Sequence, residues 1–119
     1  MTTSHRERIR AIREMIEAGA LHDVADLALK SNLSESRLRH LFKEETGVRL
    51  GHLLIEQRLL KAAMLLAGTR LRIKEIAGAV GYRHTSSFTR AFEKRFEQAP
   101  QTYRDRCSTI TRPELLNGE

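Results

Sequence analysis

Two short polar runs carry side chains that can hydrogen-bond to base edges and phosphates. The first comprises Glu35, Ser36, Arg37, Arg39, His40 and Lys43; the second comprises His84, Thr85, Ser86, Ser87, Thr89 and Arg90. Each run is interleaved with apolar positions, Leu38, Leu41 and Phe42 in one and Phe88, Ala91 and Phe92 in the other. At helical spacing such polar residues form the face opposite the buried stripe. On an exposed helix face, Arg39 can fork two donors onto guanine O6 and N7, and His40 can donate to a base or a phosphate. Thr85, Ser86 and Thr89 can bond base edges or pack on a thymine methyl, with capping of a helix start as the lesser alternative for Thr85 and Ser86.

The same inspection bounds the chemistry. The chain contains no P-loop, GxGxxG, G-x-S-x-G or H-E-x-x-H pattern. His40 has no Cys or second His at ligand spacing, which argues against a metal site. Cys107 is the one cysteine, so an internal disulfide is excluded and a reducing, cytoplasmic setting is expected. Neither a catalytic residue nor a cofactor is implied. Met1 to Arg13 lacks the apolar core of a secretory signal, and no apolar run approaches the roughly 20 residues of a membrane span.

The elements that must carry the polar runs are helical. Ser4 and Glu7 have the spacing of a capping box, ahead of Ile9, Ile12, Met15 and Ile16. Asp23 is placed to cap a helix bearing Val24, Leu27 and Ala28, and Ser34 to cap one bearing Leu38, Leu41 and Phe42, with Gly47 just past its end. Residues 50–67 form the longest helical candidate, about 27 Å at a rise of roughly 1.5 Å per residue. One of its faces reads Leu53, Leu60, Met64, Ala67 and another Ile55, Leu59, Ala62, Leu66, which predicts a connector buried on both faces. A short helix with Ile73, Ile76, Ala77 and Val80 follows, then a turn at Gly81-Tyr82. Next comes a helix from Thr85 to Phe96, and Pro100 opens a last one bearing Tyr103. Phe42, Phe88, Phe92, Phe96 and Tyr103 are read as core residues.

Within this succession one unit occurs twice. Val24-x-x-Leu27-Ala28 matches Ile73-x-x-Ile76-Ala77, and Leu38-x-x-x-Phe42 matches Phe88-x-x-x-Phe92. Asn32 and Gly81 fall on equivalent turn positions, and both residue types tolerate positive φ. The pattern is that of a helix-turn-helix, twice, with a plain helical hairpin as the alternative. The expected organisation is 5–48, a connector 49–68, 69–106, and a flexible tail 107–119.

Charge follows the repeat unevenly. The chain of 119 residues carries a net charge of +6. Residues 1–48 hold eight Lys/Arg against eight Asp/Glu, whereas 69–106 hold nine against four. The excess favours a polyanionic partner for the second copy, and a solvated basic face would look the same.

These residues resemble the AraC/XylS family of bacterial transcription regulators over roughly 9–106. In the first copy the likeness rests on Val24-Ala25-Asp26-Leu27-Ala28, Leu33-Ser34-Glu35-Ser36-Arg37-Leu38 and Leu41 to Gly47. In the connector it rests on Leu54, Arg58, Leu59, Ala62, Leu65 and Leu66. In the second copy it rests on Ile73 to Ala77, Val80-Gly81-Tyr82, Ser87 to Phe92, Pro100, Tyr103 and Arg104. Departures are Arg72 where Ser or Thr is usual, Glu97 where Gly is usual, and Ala99 where Thr commonly precedes the proline.

The resemblance implies an all-α domain of about seven helices with two recognition helices, which enter successive major-groove segments of double-stranded promoter DNA. It implies base reading by Ser36, Arg39, His40, Thr85, Ser86, Thr89 and Arg90. Arg90 matches the family's base-reading arginine. Phosphate contacts are expected from Arg37, Lys43, Arg72, Arg83 and Lys94. RNA polymerase is the implied protein partner, activation the more expected outcome than repression, and the cytoplasmic nucleoid the expected location. A monomer is the default. The chain reads either as a stand-alone short regulator or as the C-terminal part of a longer, effector-responsive one. A sequence-blind nucleoid or RNA binder and a protein-interaction module remain the competing classes.

Overall fold

Three side-chain oxygens start three helices. In a computed structural model, which describes residues 4–111, Ser4 Oγ accepts from the Glu7 N–H at 3.2 Å and begins α1 (His5–Glu17). Asp23 Oδ1 accepts from the Asp26 N–H at 2.8 Å and begins α2 (Val24–Ser31). Ser34 Oγ accepts from the Arg37 N–H at 3.1 Å and begins α3 (Glu35–Thr46). Each bond satisfies one of the N–H groups that a helix start leaves without an intrahelical partner. Four more helices follow: α4 (Leu50–Gly68), α5 (Ile73–Ala79), α6 (Thr85–Phe96) and α7 (Pro100–Thr111). The described residues are all-α.

The chain divides into two compact units, 1–57 and 58–119, with the boundary inside α4. The first unit buries Ile9, Ile12 and Ile16 of α1 with Val24, Leu27 and Ala28 of α2 and Leu38, Leu41 and Phe42 of α3. Leu50 and Leu54 of α4 complete that cluster, and Met15, Leu33 and Leu53 pack against it. Asn32 ends α2 in the left-handed region at φ 58°, so α3 can turn back across Ala28.

The second unit repeats the arrangement. Ile76, Ala77 and Val80 are buried with Leu59, Ala62, Ala63 and Leu66 of α4 and with Phe88 and Phe92 of α6. Its core is more aromatic. The Phe92 and Phe96 rings lie 4.5 Å apart at a 39° tilt, Phe92 meets Tyr103 edge-on at 5.5 Å, and Tyr82 meets Phe88 edge-on at 5.6 Å. Phe96 and Tyr103 are half-buried, at the rim of this cluster. Burial pushes the hydroxyls of Tyr82 and Tyr103 above their ordinary pKa.

Two expectations are revised. The connector does bury two faces, Leu50 and Leu54 in the first core and Leu59, Ala62, Ala63 and Leu66 further along, but the expected face of Leu53, Leu60, Met64 and Ala67 is not one of them: Leu60 is 40 % and Met64 67 % exposed, and Ala67 is exposed as well. The C-terminal half of α4 buries Leu59, Ala62, Ala63 and Leu66, which is one stripe at i, i+3, i+4 and i+7. Positions 60, 64 and 67 lie off that stripe. Helix α7 continues through 107–111, where fading apolar periodicity leads the sequence to predict a tail. The remainder of that tail, 112–119, lies outside the described residues.

Candidate nucleic-acid interface

Helix α3 is held by Leu38 and Phe42, both wholly buried, and by Leu41. That anchoring leaves Glu35, Ser36, Arg37, Arg39, His40 and Lys43 exposed. Glu44 carries its carboxylate to 3.1 Å from His40 Nε2, and Glu35 stands 4.0 Å from Arg39. These are solvent-exposed i,i+4 pairs, worth at most a few tenths of a kcal/mol, ~0.3–0.5. They can therefore yield readily to a stronger acceptor. Lys43 Nζ donates to the Gly47 carbonyl at 3.1 Å and so closes the helix end.

Helix α6 is held in the same way by Phe88 and Phe92, both wholly buried. Ser86, Ser87 and Arg90 are exposed, and Thr85 and Thr89 are half-buried. The N-cap is His84, which makes no side-chain capping bond, so Thr85 and Ser86 sit within the first turn and do not cap it. Lys94 and Arg95 fall in the last turn, where cations complement the helix dipole. The Arg95 guanidinium also lies over the Phe96 ring at 4.7 Å.

A family model described as "Helix-turn-helix domain" matches residues 27–106. The chain belongs to the AraC type of that family. It is a DNA-binding domain of the kind carried by bacterial transcriptional regulators, and the family is not one of enzymes. Among its relatives is the HTH-type transcriptional activator RhaR of Yersinia pseudotuberculosis, 36% identical over 88 residues. The match takes in 74% of this chain and 30% of that protein, so the chain spans about a third of the curated relative's length. The C-terminal domain of AraT, a response regulator from Geobacillus stearothermophilus, is 35% identical with a TM-score of 0.71, covering 82% of this chain and 84% of that one. The DNA-binding domain of AdpA, solved in complex with a target DNA, shares the fold at a TM-score of 0.74 and 24% identity, covering 87% and 96%.

Within this AraC-type domain the expected contact residues fall into two sets. Ser36, Arg37, Arg39, His40 and Lys43 share α3 in the first unit. Thr85, Ser86, Thr89, Arg90 and Lys94 share α6 in the second, with Arg83 just before its cap. Arg72 is the N-cap residue of α5 and is exposed. Its side chain makes no capping bond; instead the Glu75 carboxylate accepts from the Arg72 N–H at 2.8 Å. Half of a capping box therefore replaces the hydroxyl that Arg72 lacks.

Two arginines of the resemblance turn out to brace backbone. Arg58 Nη1 donates to the Val80 carbonyl at 3.2 Å and to that of Gly81 at 3.4 Å. Arg104 donates to the carbonyls of Leu66 and Thr69 at 3.1 and 3.3 Å, at the end of α4. Arg49 and His52, which no sequence motif singles out, line a groove beside Arg39, His40 and Lys43. Their only sequence signal was a pair of basic side chains flanking the start of α4. No group of three or more His, Cys, Asp or Glu is placed to hold a metal among the described residues. No helix among them is long and apolar enough to cross a membrane.

Proposed function

We propose that the chain binds double-stranded DNA sequence-specifically, with α3 and α6 as recognition helices in successive major-groove segments. One observation carries this reading. Each unit contains a helix anchored by buried apolar residues, Leu38, Leu41 and Phe42 on one and Phe88 and Phe92 on the other, while donors on the opposite face are exposed, Arg39 and His40 on one and Arg90 on the other. Arg39, His40, Ser36, Arg90, Thr85, Ser86 and Thr89 read base edges, and Arg37, Lys43, Arg72, Arg83 and Lys94 hold phosphates. Phosphate contacts supply salt-dependent affinity, and the two reading faces supply register and sequence choice. The relative RhaR is a transcriptional activator and AdpA binds a target DNA, which favours a promoter-bound activator that contacts RNA polymerase.

Selection from random duplex DNA, followed by fluorescence anisotropy at two salt concentrations, tests this. The expected product is a bipartite motif with half-elements about one helical turn apart, bound on the order of a thousandfold above random duplex. Equal binding of selected and random duplexes would overturn it.

A further inference from the structure

Beside the exposed face of α3 the first unit has a groove of about 490 Å³. Arg39, His40 and Lys43 of α3 form one side, and Arg49, His52 and Ile55 form the other. Five of these six are cations or imidazoles, and no carboxylate lines the groove. That clustering is local. Residues 1–57 hold nine Lys/Arg and nine Asp/Glu, so this unit has no general basic excess to explain it. The carboxylates that do approach reach Arg39 and His40, from Glu35 and Glu44. Among the described residues, the side chains of Arg49 and His52 enter no ion pair.

Two of the lining positions, Ile55 and Gly51, are different in character. Ile55 is 48 % exposed although it sits on a helix that has buried positions to offer. Gly51 beside it needs no glycine for its own unit: its φ is ordinary and an added Cβ would meet nothing within 4 Å. Cationic side chains beside an exposed isoleucine and a bare glycine backbone fit a deoxyribose-phosphate strand. A phosphate there would take the fork of Arg49, the charge of Lys43 and a ring N–H of His52, and a sugar would lie on Ile55 and the bare Gly51 backbone.

We infer that this groove holds one backbone strand of the duplex read by α3, with Arg49 and His52 as phosphate contacts. The inference rests on the DNA reading proposed above and adds two contacts to it. It also gives the neutral first unit its own grip on the duplex, where the second relies on a general basic excess.

The test uses the full chain with Arg49→Gln, Arg49→Lys and His52→Gln, on selected and random duplexes across a salt series, with thermal unfolding alongside. Arg49→Gln is expected to weaken both duplexes by the same factor. It should also make the slope of log K against log salt shallower by about 0.9, the loss of one phosphate contact. Arg49→Lys keeps the charge and should keep the slope. His52→Gln should weaken both duplexes alike, and the unfolding temperature of all three should stay at the parent's. Unchanged affinity and slope for Arg49→Gln and His52→Gln would overturn the inference, as would a loss confined to the selected duplex. If the parent fails to discriminate between duplexes, the proposed function falls. The Arg49 slope on random duplex still decides the groove.

Discussion

The guanidinium of Arg58 occupies the space that a Cβ at Gly81 would need. Gly81 is at φ +97° in the turn between α5 and α6, and Arg58 bonds its carbonyl and that of Val80 from α4. The turn that aims α6 is thus fixed by a glycine and an arginine together. Gly81→Ala adds a left-handed penalty of about 1–2 kcal/mol and displaces Arg58 from its two acceptors. A total cost near 2–3 kcal/mol is expected, with the hydrogen-bond share near 1 kcal/mol. Urea unfolding followed by circular dichroism measures it. In an Arg58→Ala background the same change should cost only the backbone share. Strictly additive costs would mean that the two residues do not share this space.

Glu97 poses the opposite case. It ends α6 at φ 60°, where Gly47 ends α3 at φ 78°. A side chain in that region is strained, and glycine relieves the strain at the expense of a more flexible unfolded chain. Glu97→Gly is therefore expected to stabilise the second unit by about 0.5–1 kcal/mol, read as a higher urea midpoint. Gly47→Ala should lower the midpoint by a similar amount. A lower midpoint for Glu97→Gly would show that its carboxylate has a stabilising contact outweighing the strain.

Those turns also mark where sequence alone succeeds. Ser4, Asp23 and Ser34 were legible as caps because a short side-chain oxygen at a helix start has one common use. Asn32 and Gly81 were legible because two copies of one motif needed positive φ at the same point. Leu60 and Met64 misled, since periodicity says that a residue is apolar but not whether anything covers it. The exposed donor-bearing faces of α3 and α6 could be listed from spacing, given that Phe42, Phe88 and Phe92 must turn inward. Arg49 and His52 could not, because the groove they line joins residues before and after the turn at Gly47, and no local pattern encodes that juxtaposition. Arg58 and Arg104 carried the family resemblance, but no spacing in the sequence indicates the backbone carbonyls they meet.

Acid sensitivity should begin at α2. Asp26 is bonded by His22 Nδ1 and Lys30 Nζ, each at 3.2 Å. These partners hold its carboxyl below the ordinary value of 3.8, the His22 bond contributing most. A carboxylate whose pKa is lower folded than unfolded stabilises the fold fully above its unfolded value. That contribution is lost as pH falls through the folded value. Asp26→Asn keeps the backbone N–H that Asp23 caps, so it removes the charge alone. The variant should be less stable than the parent at neutral pH, and the two should converge as pH is lowered through the carboxylate range. A gap that stays constant with pH would assign the loss to packing.

The sharpest functional contrast lies within α6, between Arg90 and Lys94, both exposed. A bidentate arginine on guanine discriminates by about 1–3 kcal/mol, whereas a lysine on a phosphate adds affinity blind to sequence. Arg90→Ala should therefore abolish most of the preference for a selected duplex and leave random-duplex binding nearly intact. It should also relax the requirement at one base pair. Lys94→Gln should weaken both duplexes equally and flatten the salt slope by about 0.9. Competition anisotropy with single-base-substituted duplexes separates the two. If Arg90→Ala weakens every duplex alike, Arg90 is a backbone contact, and specificity in the second unit must come from Thr85, Ser86 and Thr89. If it changes no duplex at all, α6 faces something other than DNA, and a protein partner becomes the reading to pursue.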